Sequence, residues 1–474
     1  MKKYILGIGK LEIISFVTGF VLLAYELIAA RVMAPSIGSS TYVWTSVIGI
    51  IIAALSLGYV AGGKLADARN RASDVVWLCL LAALFVVISR VAHFGVLESI
   101  AASGSDPRIQ AVMAATILFA PASFVLGAIS PYLVKLKLTS LADSGQSVAS
   151  LSATNSVGGI VGTFVTGFIL FGYVGLQESL TIMVVLLVAI SWLFVPKMYI
   201  AQRIAASALL LLFGSATTTQ DVIAIDTPSS HYTIGTGQFN GRQATYLTTG
   251  PTGIQSAVYD NYPRELVFWY TNAIAQIAQE TDPERILVLG GGAYTLPQYF
   301  ADKYPDATID AVEIDPALEE ISKKYFRYTA PDSVTSIAQD ARTYVEQTDE
   351  SYDFIVVDVY GDTEIPASLM TEEFGRALDK IVTDNGVVAV NLVAGLSKNC
   401  RPIFAAADGL YRQHFENAIF SSSSKGGARG NYVMAYSRQP IDVEGYETLD
   451  PVSGKTYRDN FVPAERLFYN CVKG

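Results

Sequence analysis

The succession of apolar runs before residue 220 leaves few folds open to this chain. The runs lie at about Ile13–Met33, Trp44–Leu65, Val75–Leu97, Ala111–Leu133, Val157–Val174 and Leu180–Val195. Each is near the roughly 20 residues that an α-helix needs to cross the hydrocarbon of a bilayer. The first is too long for a signal peptide, and others come after it. Pro35, Gly38, Gly104, Pro107, Gly145 and Gly175 punctuate the series, while Gly158 and Gly162, four apart, fit a close helix–helix contact. The chain as a whole is 51% hydrophobic and 16% charged, with a mean hydropathy of +0.36. That excess stops near residue 220, where the composition becomes that of a soluble protein. A transmembrane bundle of six or seven helices is therefore expected over 1–220, in contact with the lipid bilayer.

Lys2, Lys3 and Lys10, then Lys64, Arg69 and Arg71, then Lys135 and Lys137, then Lys197 and Arg203 fall in alternate loops. The positive-inside rule puts these loops and the amino terminus of a multi-pass cell-membrane protein in the cytoplasm. A seventh run, Ile204–Ala216, has only 13 residues and is short for a span. If it crosses, the soluble half of the chain is outside; if it lies at the interface, that half stays inside. Glu26, Arg31, Arg90 and His93 sit inside apolar runs, where ionisable groups face a partner or a cavity. The expectation is an interhelical ion pair with Arg31 reaching for the surface, the alternative a polar path.

Past residue 220 the pattern changes. Val222–Ile225, Tyr232–Thr236, Gln243–Thr248 and Ser256–Tyr259 read as short strands between turn-forming clusters, a small β-rich subdomain over 221–270. Glu265–Gln279 reads as a helix. Then comes ILVLGGGAYTLPQYFADKYPDATIDAVEID, Ile286 to Asp315: a buried strand, three glycines, a helix and a second strand ending at Glu313. Glu313 lies 21 residues after Gly292, the spacing that places a carboxylate where it accepts both hydroxyls of a ribose. A glycine turn alone would fit a plain βαβ unit; turn, helix, strand and spaced acid together read as a nucleoside site. Strands and helices keep alternating, through Ser333–Ala338, the helix opened by Asp340-Ala341-Arg342, Phe354–Val357 and Gly386–Asn391, with Asn417–Ser421 and Asn431–Ala435 closing the sheet antiparallel. The fold class is thus multi-domain: an all-α membrane bundle, then an α/β Rossmann-like domain over 271–440, with 441–474 as a C-terminal extension. Gly290, Gly291, Gly292, Glu313, Asp340 and Asp358 all fall at one rim, beyond the carboxyl ends of the strands. Nucleoside cosubstrates are cytoplasmic, so the soluble domain is expected inside.

With a net charge of −10 and no basic tract, nucleic acid is not an expected partner. Cys79, Cys400 and Cys471 form no CxxC pair and no framework, and there are only three histidines, so neither a disulfide nor a metal is expected.

The pieces ILVLGGG, AVEIDPALEEISKKYF, QDARTYV and YDFIVVDVYGD, within Val222 to Leu392, resemble the spermidine synthase family, the polyamine aminopropyltransferases. The segment TGFVLLAYELIAARVMAPSIGSSTYVWTSVIG looks like the amino-terminal region of membrane-fused members. The resemblance implies decarboxylated S-adenosylmethionine as cosubstrate, held by Gly290 to Gly292, by Glu313 at the ribose and by Asp340, with Ala341, at the adenine. It makes Asp358 the catalytic residue, Tyr360, Asp362 and Tyr270 the acceptor contacts, a small-molecule amine the acceptor, and self-association an option. The sequence departs from the family pattern at three places. GGGDGG is here Gly290-Gly291-Gly292-Ala293-Tyr294-Thr295, the active-site loop is Asp358-Val359-Tyr360-Gly361-Asp362, and no carboxylate stands in Phe268-Trp269-Tyr270-Thr271. Two alternatives stay open: a methyltransferase using S-adenosylmethionine itself, and a polyamine transporter or sensor without catalysis.

Overall fold

The computed structural model describes residues 9–38, 40–138, 144–194, 200–214, 223–227, 229–250, 253–360, 365–424 and 427–472. The chain forms two compact units, Met1–Asp221 with Ile225–His231, and Val222–Ala224 with Tyr232–Gly474.

The first unit is helical: α1 (Lys10–Ile37), α2 (Thr41–Arg69), α3 (Ala72–Ala102), α4 (Pro107–Ala114), α5 (Ala120–Lys137), α6 (Ser144–Val165), α7 (Leu176–Ser191) and α8 (Ile200–Gly214). A π-helical stretch, Ala115–Phe119, joins α4 to α5, and another, Thr166–Val174, prolongs α6. Five of the resulting rods, Lys10–Ile37, Thr41–Arg69, Ala72–Ala102, Pro107–Lys137 and Ser144–Val174, are long and apolar enough to cross a membrane. The sixth and seventh apolar runs are helices of 16 and 15 residues, so the sixth does not reach full span length and the fifth exceeds its expected start at Val157. A Cβ on Gly158 or Gly162 would strike the carbonyl oxygen of Phe16 or Phe20, so the small-residue pair is where α6 lies against α1. The unit buries Tyr25, Ile28, Val47, Val86, Phe119 and Leu187 and turns Ile52, Leu57, Val60, Phe164 and Phe168 outward. Arg31 donates to the Thr227 carbonyl at 2.8 Å and lies over the Phe171 ring. His93 meets the Arg90 carbonyl at 2.8 Å and the Gln177 amide at 3.3 Å.

After the helices come strands β1 (Ile223–Asp226), β2 (His231–Phe239), β3 (Arg242–Thr248) and β4 (Ile254–Tyr259), in that order in one sheet, β2 from Tyr232 onward, β3 and β4 belonging to the second unit. Helix α9 (Trp269–Thr281) starts four residues later than the predicted Glu265. Leu266 is held in a β-bridge to Val258, and the residues before it form a turn in which the Glu265 amide donates to the Tyr262 carbonyl. Next come β5 (Arg285–Leu289), α10 (Thr295–Lys303), β6 (Thr308–Glu313), α11 (Ala317–Tyr325), β7 (Val334–Ala338), α12 (Ala341–Gln347), β8 (Tyr352–Val357), α13 (Glu372–Ile381), β9 (Val382–Ala394), α14 (Arg401–Arg412), β10 (Asn417–Ser422), β11 (Gly430–Ser437), β12 (Glu447–Thr448) and α15 (Ala464–Val472). They build an eight-stranded sheet of order β12-β10-β11-β9-β8-β5-β6-β7. Strands β9, β8, β5, β6 and β7 are parallel, while β11 and β10 run antiparallel. Helix-covered sheets bury both faces of a central strand, and Ile286, Leu287, Val288 and Leu289 accordingly have no exposed surface. The chain leaves β5 toward β6 and β7, then returns to β8 on the other side of β5. That reversal opens the crevice in which such sheets bind ligands.

The C-terminal extension packs on the α/β core: β12 pairs with β10, Arg342 binds Asp459 at 3.1 Å, and Leu467 and Phe468 are buried. One expectation is corrected here. Cys400 and Cys471 form a disulfide, with Cα atoms 4.2 Å apart, tying the start of α14 to α15. The two lie 71 residues apart without motif spacing, so only the folded chain brings them together.

Candidate active site

The site begins where β5 runs out. Gly290 adopts φ 95°, and its amide and that of Gly291 both donate to the Val312 carbonyl, at 2.9 and 3.2 Å. A Cβ at Gly290 would overlap the carbonyl oxygen of Asp358. Three strand ends, β5, β6 and β8, are thereby drawn together at one glycine. The next turn delivers the Gly292 amide to Glu313 Oε2 at 2.9 Å, and the Asp315 amide reaches Oε1 at 3.1 Å. Burial pushes the Glu313 carboxyl above its ordinary range, against the pull of the Gly292, Asp315 and Ile314 N–H donors. A carboxylate has about four acceptor positions, so these three donors leave room for a ligand hydroxyl. Beside it Ile314 is 61% exposed, an apolar side chain standing at the rim.

Ala293, where the resembled pattern carries an aspartate, is buried, and its amide donates to Ser256 Oγ at 3.0 Å. At the end of β7, Asp340 caps α12: its Oδ1 accepts from the amide and the hydroxyl of Thr343 at 2.9 and 3.0 Å. Ala341, next to it, is buried.

At the end of β8 the Asp358 amide is tied to the Leu289 carbonyl at 2.9 Å. Its Oδ1 accepts from Asn391 Nδ2 at 2.8 Å, and the Tyr270 hydroxyl also bonds to the carboxylate. Desolvation pushes the carboxyl up to about 6, and the Asn391 and Tyr270 hydrogen bonds hold it from rising further. Tyr360 turns its hydroxyl to β9, donating to the Asn391 carbonyl at 3.1 Å and accepting from the Val393 amide, so its ring is what it offers to a ligand. Asp362 lies outside the described residues. Gly290, Gly291, Gly292, Glu313, Asp358 and Tyr270 are thus joined at one rim, directly or through one shared partner. Among the described residues no three His, Cys, Asp or Glu side chains gather as metal ligands.

Ser256, Ile314 and Asn391 were not singled out from sequence. Asn391 had a signal, as the polar residue within the apolar strand VVAVNLVA, nearly buried at 3% exposure. Its amide is itself fixed, because Asn431 Nδ2 donates to its Oδ1 at 2.9 Å. A proton acceptor with a pKa near 6 is ionised above that pH, so kcat/KM is expected to rise with pH through about 6 and level off. Asn391→Ala removes a donor to the charged form, so the acid limb should move to higher pH. A pH–rate profile of both proteins checks the direction.

The rim lies at the switch point of a doubly wound α/β sheet, the place where such sheets bind ligands. Residues 267–394 match the spermine/spermidine synthase domain, and the α/β unit carries that domain. The polyamine aminopropyltransferase of Vibrio vulnificus (strain CMCP6) is 32% identical over 143 residues, 29% of this chain and 48% of that protein. The N-terminal histidine N-methyltransferase of Emericella nidulans is 35% identical over 116 residues, 23% of this chain and 20% of that protein. The chain thus spans about half the length, or less, of these curated relatives. Among solved structures, a probable spermidine synthase from Corynebacterium glutamicum ATCC 13032 aligns at 22% identity with a TM-score of 0.44, over 52% of this chain and 98% of that one.

Proposed function

We propose that this protein is a membrane-bound transferase that moves an aminopropyl group from decarboxylated S-adenosylmethionine to an amine acceptor. The observation that carries the reading is the joining of Glu313, the Gly290–Gly292 turn and a carboxyl with a pKa of about 6, Asp358, at one sheet rim. The glycine turn and Glu313 hold the nucleoside, with a ribose hydroxyl on the open acceptor position of Glu313 and the base over Ile314. The sulfonium is already a good leaving group, so the protein chiefly positions the partners. The acceptor amine, deprotonated toward Asp358, attacks the propyl carbon; the carbon–sulfur bond breaks, and a neutral thioether departs. Tyr270 and the Tyr360 ring, both aromatic, suit an ammonium acceptor. Embedding of the helical unit is supported by its five long apolar rods and their outward-facing isoleucine, leucine and phenylalanine side chains.

One observation favours a second reading. Position 293 carries a methyl group where the resembled pattern has an aspartate for the donor's amine, which suits S-adenosylmethionine and methyl transfer as well. Calorimetric binding of the two donors to the full-length protein separates the readings. Preference for the decarboxylated donor supports aminopropyl transfer, and preference for the carboxylated one supports methyl transfer. Glu313→Ala should weaken either by roughly 10- to 100-fold, as loss of a charged hydrogen bond to a ribose hydroxyl requires. Unchanged affinity in that variant would remove the ribose assignment.

A further inference from the structure

The two ends of the helical unit differ in chemistry. At one end Lys135 pairs with Asp67 at 2.8 Å, Lys137 with Glu12 at 2.6 Å, and the Tyr132 hydroxyl donates to Asp74 at 2.8 Å. These residues belong to the starts of α1 and α3 and the ends of α2 and α5. Arg69 and Arg71 lie in the same α2–α3 turn. Helix α8 begins at the end of α7, where Arg203 donates to the Ser191 carbonyl at 2.8 Å and covers the Trp192 ring, and Arg203 with Lys197 makes this turn another of the basic loops.

The opposite end carries the segment Ile225–His231, which belongs to the helical unit. Asp226 accepts from the Leu176 amide at 2.7 Å, at the start of α7, and from His231 Nδ1 at 2.5 Å. Arg31, near the end of α1, donates to the Thr227 carbonyl. Between Arg203 and Asp226 the chain therefore passes from the lysine-rich end to the other. At about 1.5 Å per residue α8 alone covers roughly 22 Å. The hydrocarbon is about 30 Å thick, and the stretch from Arg203 to Asp226 exceeds that even at a helical rise of about 1.5 Å per residue, so the length suffices. Along α8, Arg203, Ser207 and Leu210 face inward, while Ile204, Leu209, Leu212 and Phe213 face out, an apolar surface suited to lipid.

We infer that α8 completes a seventh crossing, so that the transferase domain emerges from the membrane face opposite the Lys/Arg loops. This rests on the membrane embedding proposed above. Since those loops mark the cytoplasm, the domain meets its acceptor and donor on the non-cytoplasmic side. The Cys400–Cys471 disulfide points the same way, because disulfides persist in oxidising compartments. It also means that the donor, a permanent cation that hydrocarbon excludes, has to be brought across by a carrier.

The test is thiol labelling of the full-length chain in intact cells with a membrane-impermeant maleimide. Asp349 and Asp67 are exposed, one in the α/β unit and one in the last turn of α2 at the lysine-rich end. The parent offers little background, since Cys79 is buried and the other two cysteines are bonded. Asp349→Cys should label in intact cells, and Asp67→Cys only once the membrane is opened. The reverse pattern would overturn the inference. Release of the protein from membranes by alkaline carbonate would overturn the embedding, and the inference with it. The readout needs no activity, so failure of the proposed reaction leaves it intact.

Discussion

Asp358→Asn is expected to lower kcat by about 10²- to 10⁴-fold, the range a positioned general base supplies, while leaving donor affinity essentially unchanged. The substitution keeps size and shape, and the Asp358 amide still ties to the Leu289 carbonyl. In the proposed reading the donor is held by the Gly290–Gly292 turn and Glu313, which the Asp358 side chain does not support. What the amide loses is the ability to take a proton from an arriving ammonium. The acid limb near pH 6 should vanish with it, because its cause is the Asp358 carboxyl in its desolvated pocket. Single-turnover rates and donor calorimetry on the same preparation separate the two effects. Unchanged turnover would reduce Asp358 to an anchor for Asn391 and Tyr270.

The residues of this site differ in how far sequence exposes them. Glu313 was legible because its place is set by local order, a strand, a turn and a helix of standard length. Asp358 was legible because an acid directly after a buried strand has to emerge at the rim. Ser256 was not, because it comes from β4 of another sheet and reaches the Ala293 amide only through tertiary packing. The disulfide failed for the same reason, as α14 and α15 are distant in sequence and adjacent only in the fold. The start of α9 was misread because a single β-bridge at Leu266 overrides local helix preference. In the helical unit, the runs were evident from hydropathy alone. The side of the membrane was not, because a 13-residue apolar run is ambiguous by length; the opposite-face inference rests on contacts of Asp226 and Thr227, which lie beyond that run.

Gly290→Ala should destabilise the α/β unit by about 3 kcal/mol or more and abolish donor binding. Two penalties coincide at this position. At φ 95° an L-residue carries strain of order 1–3 kcal/mol. The added Cβ also overlaps the Asp358 carbonyl oxygen, which is backbone and anchored at the end of β8. Relief requires β5 and β8 to separate at their carboxyl ends, and that moves both the glycine turn and the proton acceptor. Gly445 is the control, because it has φ 81° in the same unit but nothing within 4 Å of where a Cβ would stand. Gly445→Ala therefore incurs only the backbone strain, and donor binding should survive it. Thermal unfolding and calorimetry of the two variants in detergent isolate the steric part. Equal destabilisation by both would mean that the three strand ends are not held together through Gly290, and that the close approach of β8 to the turn is dispensable.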